Sequence, residues 1–169
     1  MTLEELEREL ERLHGASFGW ALTCCRFNRD EADDVLQTAY LRAVEGRARY
    51  NGDSSLRTWF FSIVRHVASE RRRGGLVHVE ALRRWFRQAP KPESQSADDV
   101  TERAARCRQV RDVLARLSAR QREVLHLVFY QELTVEQAGE VLQLPVGTAR
   151  KHYQRGKARM RRLLEEQEA

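Results

Sequence analysis

Residues 117–164 read LSARQREVLHLVFYQELTVEQAGEVLQLPVGTARKHYQRGKARMRRLL, and the fold class rests on this stretch. Ser118 with Gln121, and Thr134 with Gln137, each form the pattern of a capping box. In that motif a hydroxyl accepts a free backbone N–H of the first turn while the amide reaches back to the cap. Each box opens an apolar run of helical period: Val124, Leu125 and Val128 after the first, Ala138, Val141 and Leu142 after the second. The tight connection Gln143-Leu144-Pro145 follows, and a longer helix begins near Val146. A short helix, a tight turn and a long helix spell a helix-turn-helix.

The long helix carries the chemistry. Val146, Ala149, Tyr153, Gly156, Met160 and Leu163 recur at steps of three and four and are expected to face the core, with Gly156 marking close approach of another helix. Gly147, Arg150, Lys151, Gln154 and Arg155 fall on the opposite side. Between Pro145 and Leu164 stand seven basic residues and no acidic one, in a chain with 25 Asp and Glu. A solvated helix face normally mixes signs, so this face fits a polyanion. Arginine clamps guanine through two hydrogen bonds, glutamine pairs with adenine, and Lys and Arg neutralise phosphates. Free N–H groups near Gly147 and Thr148 are a further phosphate site. The alternative is a basic face that meets only water.

Working outward, Val110, Val113, Leu114 and Leu117 line a helix starting near Asp99. Before it, Gln88 to Ser96 holds Pro90 and Pro92 and reads as a flexible linker. Val79 to Phe86 is expected as a short helix whose Leu82, Trp85 and Phe86 seek a surface. Upstream, Leu56, Trp59, Phe60, Ile63, Val64 and Val67 share one helix face, ending in Arg71-Arg72-Arg73 and a glycine stop at Gly74-Gly75. Trp59 belongs to packing on this spacing. Arg49 to Ser55 is a loop, Asp30 looks like the cap of a helix through Val35, Leu36, Ala39, Tyr40, Ala43 and Val44, and Ala16 to Phe27 is another helix. Thr2 and Glu5 form a capping box for a first helix through Leu3, Leu6, Leu10 and Leu13. No strand pattern occurs. The class is all-α, in two small helical domains: residues 1–75, a linker over 76–99, and residues 100–169.

Leu117 to Glu166 resembles domain 4 of the extracytoplasmic-function (ECF) sigma factors, carried by Leu117 to Leu125, Leu133 to Ala138 and Leu144 to Thr148. The family often has glycine where Gln143 stands and a small residue where Lys151 stands. Ala16 to Arg73 resembles sigma domain 2. The resemblance implies a factor that directs core RNA polymerase to promoters. By it, Thr148, Arg150, Lys151, Gln154, Arg155 and Lys157 read the −35 element in the major groove. Asn51, Asp53, Ser54, Ser55, Arg65 and His66 capture the −10 strand, in a loop whose small polar residues suit an unstacked base. Arg71, Arg72 and Arg73 meet phosphates. Asp34, Gln37, Thr38 and Arg42 dock on polymerase, glutamate being usual where Thr38 stands. Implied partners are the polymerase β′ clamp helices and β flap, promoter DNA and an anti-sigma factor. Tethering two weak DNA readers raises their joint affinity through effective concentration.

Composition agrees. The 169 residues are 33% charged and 41% hydrophobic, with net charge +5 and a pI near 9.5, a mild lean toward a polyanion. No apolar run is long enough to span a bilayer, and the acidic, amphipathic N-terminus lacks signal-peptide marks, so membrane insertion is not expected and the cytoplasm is. Cys24, Cys25 and Cys107 lack metal-ligand spacing and read as reduced thiols, Cys24 and Cys25 half-buried. His14, His66, His78, His126 and His152 are scattered, so no catalytic residue, metal, cofactor or small-molecule substrate is expected. Two other readings stand beside the first. One is a sigma-like interaction protein that binds an anti-sigma factor without reading DNA; the other is a free-standing helix-turn-helix regulator.

Overall fold

A computed structural model describes residues 2–46, 48–85 and 101–168. Among these, every regular element is helical: α1 Leu3–Arg12, α2 His14–Cys24, α3 Arg29–Val44, α4 Leu56–Trp85, α5 Thr101–Ala115, α6 Ala119–Phe129, α7 Val135–Leu142 and α8 Val146–Glu168.

The local signals act as read, with informative exceptions. The three capping boxes form at Thr2, Ser118 and Thr134. The cap of α3 is Asn28, not Asp30: the Asn28 side chain accepts from the Glu31 N–H at 3.1 Å, leaving Asp30 in the first turn, where it suits the positive end of the helix dipole. The expected glycine stop at Gly74-Gly75 does not occur, and α4 runs on to Trp85, so residues 76–85 of the expected linker are helical. Glycine ends a helix by turning left-handed; Gly46 does so just after α3, at φ 71°, and the other described left-handed glycine, Gly52, lies in a loop. In right-handed form a glycine costs a helix only about 1 kcal/mol. Val79 and Leu82 therefore extend α4 rather than forming a separate helix. Residues 86–100, with Phe86, Pro90 and Pro92, lie outside the described residues.

Chain reversal between α2 and α3 takes two left-handed residues, Arg26 and Phe27, at φ 53° and 65°. Gln143, the C-cap of α7, is also left-handed at φ 53°, which gives a physical reason for glycine at that place in similar proteins.

The core centres on Trp20, fully buried between α2, α4 and α6. Its indole N–H donates to the Phe61 carbonyl at 3.0 Å, and its ring lies 6.2 Å from Phe61 and 5.5 Å from His126. Phe60, Ile63, Val64 and Val67 are buried as expected, and so are Phe61 and Ala68. The buried arc of α4 is wider than one face because α2, α3 and α7 all pack on it. Trp59 is half-buried against Tyr50 and Phe60, in a packing role.

The two halves share one hydrophobic cluster. It joins Trp20, Val35, Phe60 and Val64 to Val124, Leu127, Ala138 and Leu142. A second cluster of Val113, Leu114, Leu117, Leu125 and Leu163 closes α5, α6 and α8, with Phe27 of the first half packed against it. Gly156 sits where expected: an added Cβ would lie 3.2 Å from Leu125 Cδ1 and 3.3 Å from Gln121 Cβ. Val146, expected in the core, is 40% exposed, whereas Ala149, one turn on, is fully buried. Cys24 and Cys25 are buried, not half-buried. Burial raises the Cys24 thiol pKa well above its usual range and pushes Cys25 up to about 12, so the reactive thiolate is suppressed in both.

Candidate nucleic-acid interface and the seam between the halves

On α8, Arg150, Lys151, Gln154, Arg155 and Lys157 are all exposed and Thr148 is half-buried. One acid borders this face: Glu136 of α7 accepts from Arg150 at 2.7 Å, and that guanidinium holds the Glu136 carboxyl below its usual pKa. Lys157 lies over the Tyr153 ring at 5.1 Å. The Thr148 N–H is already committed to the Pro145 carbonyl at 2.9 Å, so it is not the open phosphate donor expected from sequence.

The residues expected at the −10 strand divide between four settings. Asn51 and Asp53 hydrogen-bond each other in the loop, Gly52 turns it at φ 86°, and Tyr50 donates to the Ser54 carbonyl at 2.7 Å. Ser55 is structural: its hydroxyl accepts from the Thr58 N–H at 3.1 Å and so caps α4. His66 is exposed and pairs with Glu70 at 3.0 Å. Arg65, one residue earlier, turns away toward α6.

The expected docking residues line the α3 side. Asp34 accepts from Arg71 at 3.1 Å, Arg42 donates to Glu70 at 2.6 Å, and the Thr38 hydroxyl donates back to the Asp34 carbonyl at 2.9 Å. Gln37 is exposed, as is Leu41 beside it at 58%. Arg42, Arg49, Trp59, His66, Glu70 and Gln143 line a surface cleft of about 470 Å³. It brings Arg42 of the docking set, His66 of the −10 set and the C-cap of α7 to one place, and leaves the other members of both sets outside it.

Sequence reading missed the polar seam where α6 and the segment after it meet α2 and α4. Glu123 is 1% exposed. Its carboxylate lies 3.5 Å from Arg65 Nε, 3.8 Å from Arg72 Nη2 and 3.4 Å from Arg120 Nη1. Arg122 donates from Nε to the Thr23 carbonyl at 3.4 Å. A chain of hydrogen bonds runs alongside. Arg57 donates to Gln131 Oε1 at 2.6 Å, and Gln131 Nε2 donates to the Ala16 carbonyl at 3.3 Å and to His126 Nε2 at 3.0 Å. His126 Nδ1–H donates to the Thr23 hydroxyl at 2.9 Å, which donates to the Gly19 carbonyl at 3.3 Å. The signal was faint: Glu123 and His126 sit in the Glu123-Val124-Leu125-His126-Leu127-Val128 run, where the pattern is otherwise apolar.

The His126 ring is neutral, since a proton on Nε2 would oppose the Gln131 N–H. Burial lowers its pKa to about 4 from 6.5. The unfolded chain takes up this proton near its ordinary value while the folded chain refuses it, so stability is full above that pH and falls as pH drops toward 4. Between pH 7 and 5.5, above the range where carboxylates titrate, the loss is about 1 kcal/mol. Urea melts of the His126→Gln variant are expected to lack this slope; equal slopes in both proteins would show that His126 does not cause it.

Among the described residues, no group of three or more His, Cys, Asp or Glu is placed to hold a metal ion, and no helix is long and apolar enough to cross a membrane. Comparison with known proteins places the chain. Residues 10–75 match the family description sigma-70 region 2, and residues 107–160 match sigma-70, region 4. The ECF RNA polymerase sigma factor SigC of Mycobacterium tuberculosis is 32% identical over 146 residues, spanning 82% of this chain and 72% of that protein. The ECF sigma factor SigX of Bacillus subtilis is 24% identical over 141 residues, spanning 82% and 73%. The sigma factor RpoE of Bartonella quintana, solved with its anti-sigma factor NepR, has the same fold with a TM-score of 0.72 at 22% identity, over 96% of this chain and 98% of that one. Two sigma regions in order and a relative of this identity fit the helix-turn-helix and the basic α8 face: the chain belongs to the sigma-70 family, in its extracytoplasmic-function group, and directs RNA polymerase to promoters.

Proposed function

We propose that the protein reads a −35 element with Thr148, Arg150, Lys151, Gln154, Arg155 and Lys157 of α8, and captures a −10 strand with Asn51, Asp53, Ser54, Arg65 and His66. Ser55 contributes by holding the loop onto α4. Residues 1–75 and 100–169 act as the two reading units, with 76–99 between them. Asp34, Gln37, Thr38 and Arg42 dock on the β′ clamp helices, with Leu41 as an apolar neighbour. The β flap meets a groove of about 560 Å³ beside α5, α6 and α8, bordered by Leu114, Met160 and the exposed Phe129 and Tyr130. The protein works in the cytoplasm, catalyses nothing itself and is held in check by an anti-sigma factor.

The observation that carries this reading is the α8 surface, where five of the six −35 residues are exposed and the helix bears no acid from Val146 to Leu164. A sigma-like protein that only binds an anti-sigma factor has no need of that face, so the DNA-reading form is favoured. Overproducing the chain and sequencing the transcripts is expected to show a set of start sites sharing two upstream elements. Purified protein with core polymerase should start RNA at the same sites. Absence of promoter-dependent RNA in both settings would remove the reading.

A further inference from the structure

A single acid engages the basic face of α8. Glu136 lies in the first turn of α7, and its Oε1 accepts from Nη2 of Arg150 at 2.7 Å. Both side chains are exposed, at 48% and 64%, and such a pair adds little to stability. The helix dipole favours an acid in this turn but does not require it to point at Arg150. In helix-turn-helix docking the helix before the recognition helix crosses the DNA backbone, so a carboxylate here repels phosphate and lowers general affinity. Among the described residues it is Arg150, and not Lys151 or Arg155, that an acid holds.

The carboxylate is a fixed point. Three donors hold it below its usual pKa: the Arg150 guanidinium first, then its own backbone N–H and the Thr134 hydroxyl. Thr134 in turn caps α7, its hydroxyl accepting from the Gln137 N–H at 3.1 Å. The two helices are locked together close by. A Cβ on Gly139 would lie 3.1 Å from the Leu144 carbonyl oxygen and 3.5 Å from the Ala149 Cβ, and the Leu144 N–H donates to the Gly139 carbonyl at 2.8 Å. Ala149, next to Arg150, is fully buried. The backbone is therefore held at both ends of the Glu136–Arg150 bond. An untethered arginine samples many rotamers, whereas one tied at Nη2 keeps the remaining donors of its planar fork in a set direction. Guanine O6 and N7 accept two such donors.

We infer that Glu136 is a specificity-determining positioning residue: by holding Nη2 it aims the free edge of the Arg150 guanidinium at one guanine of the −35 element, so that selectivity at that base pair passes through a side chain that itself touches no base. This deepens the proposed function and rests on its assignment of α8 to the −35 element. Two opposite effects follow from losing Glu136. A repulsive charge disappears, so contact with DNA of any sequence holds or tightens. The choice at one base pair is lost, because Arg150 is no longer aimed.

The test uses the full chain with core polymerase and a promoter mapped by transcript sequencing, its −35 base pairs replaced one at a time. Wild type is expected to favour guanine at one position by at least about tenfold. Arg150→Ala and Glu136→Ala should each bring that preference below about threefold and leave the other positions as in wild type. Joining the two should add nothing further, since they act through one contact. Glu140→Ala removes the same charge from an exposed site on the same helix and should keep the preference. Binding of Glu136→Ala to a mixed-sequence duplex should be no weaker than that of wild type. Preserved selectivity in Glu136→Ala overturns the inference. An equal loss in Glu140→Ala also overturns it, by assigning the effect to charge alone. A fall spread evenly over every −35 position would mean a structural role for Glu136, which likewise ends the proposal. If Arg150→Ala alters preference at no position, the α8 assignment fails and the inference with it; if Arg150→Ala alone alters it, the α8 assignment stands and only the part given to Glu136 is lost.

Discussion

Replacing Arg150, Lys151 and Arg155 together with alanine is expected to lower promoter-dependent transcription about a thousandfold while leaving the fold intact. A guanidinium seated on a base edge discriminates by about 1–3 kcal/mol, and the other cations neutralise phosphates. About 4 kcal/mol lost over three contacts corresponds to roughly a thousandfold. All three side chains are exposed, and their one described ion pair, Arg150 with Glu136, is between exposed groups and of small worth to stability. Circular dichroism and the melting temperature should therefore match wild type. The logarithmic salt dependence of promoter binding should become shallower by about 3 units if all three meet phosphates, and by less for each that reads a base. Transcription within threefold of wild type would show that α8 does not read the promoter.

The α8 face was legible because all its chemistry sits on one helix, and helical period alone separates Ala149 and Gly156 from Arg150 and Lys151. The capping boxes were legible for the same local reason. What the sequence did not reveal depends on distant packing. Gly74 could be either a stop or an interior residue. Asn28 and Asp30 are both good caps, and the Asn28 side chain won the Glu31 N–H. The −10 residues lie close together in sequence, yet Arg65 and His66 diverge because successive side chains on a helix point about 100° apart, one to Glu123 and the next to Glu70. Asp34 with Arg71, and Arg42 with Glu70, become partners only once α3 lies along α4. Glu123 is the extreme case: a charged residue in a helix reads as solvated, and its burial follows from docking of the two halves, which no local pattern encodes.

Truncating Trp20 to alanine is expected to cost about 3–5 kcal/mol, the usual range for a buried tryptophan and a large share of the roughly 5–15 kcal/mol that holds a typical domain folded. Trp20 is fully buried. Its loss removes an indole between Phe61 and His126 and the donor to the Phe61 carbonyl, so a cavity and a lost hydrogen bond act together. Trp20→Phe keeps most of the packing and should cost about half as much, through the missing N–H and a smaller void. Because one face of the ring meets α4 and another meets α6, the damage should reach both halves: the urea transition should shift as a whole, and transcription should fall at every promoter alike. That pattern separates Trp20 from the α8 residues, whose loss leaves the melt untouched. A cost under about 1 kcal/mol for Trp20→Ala would mean that the two halves do not share the centre described above.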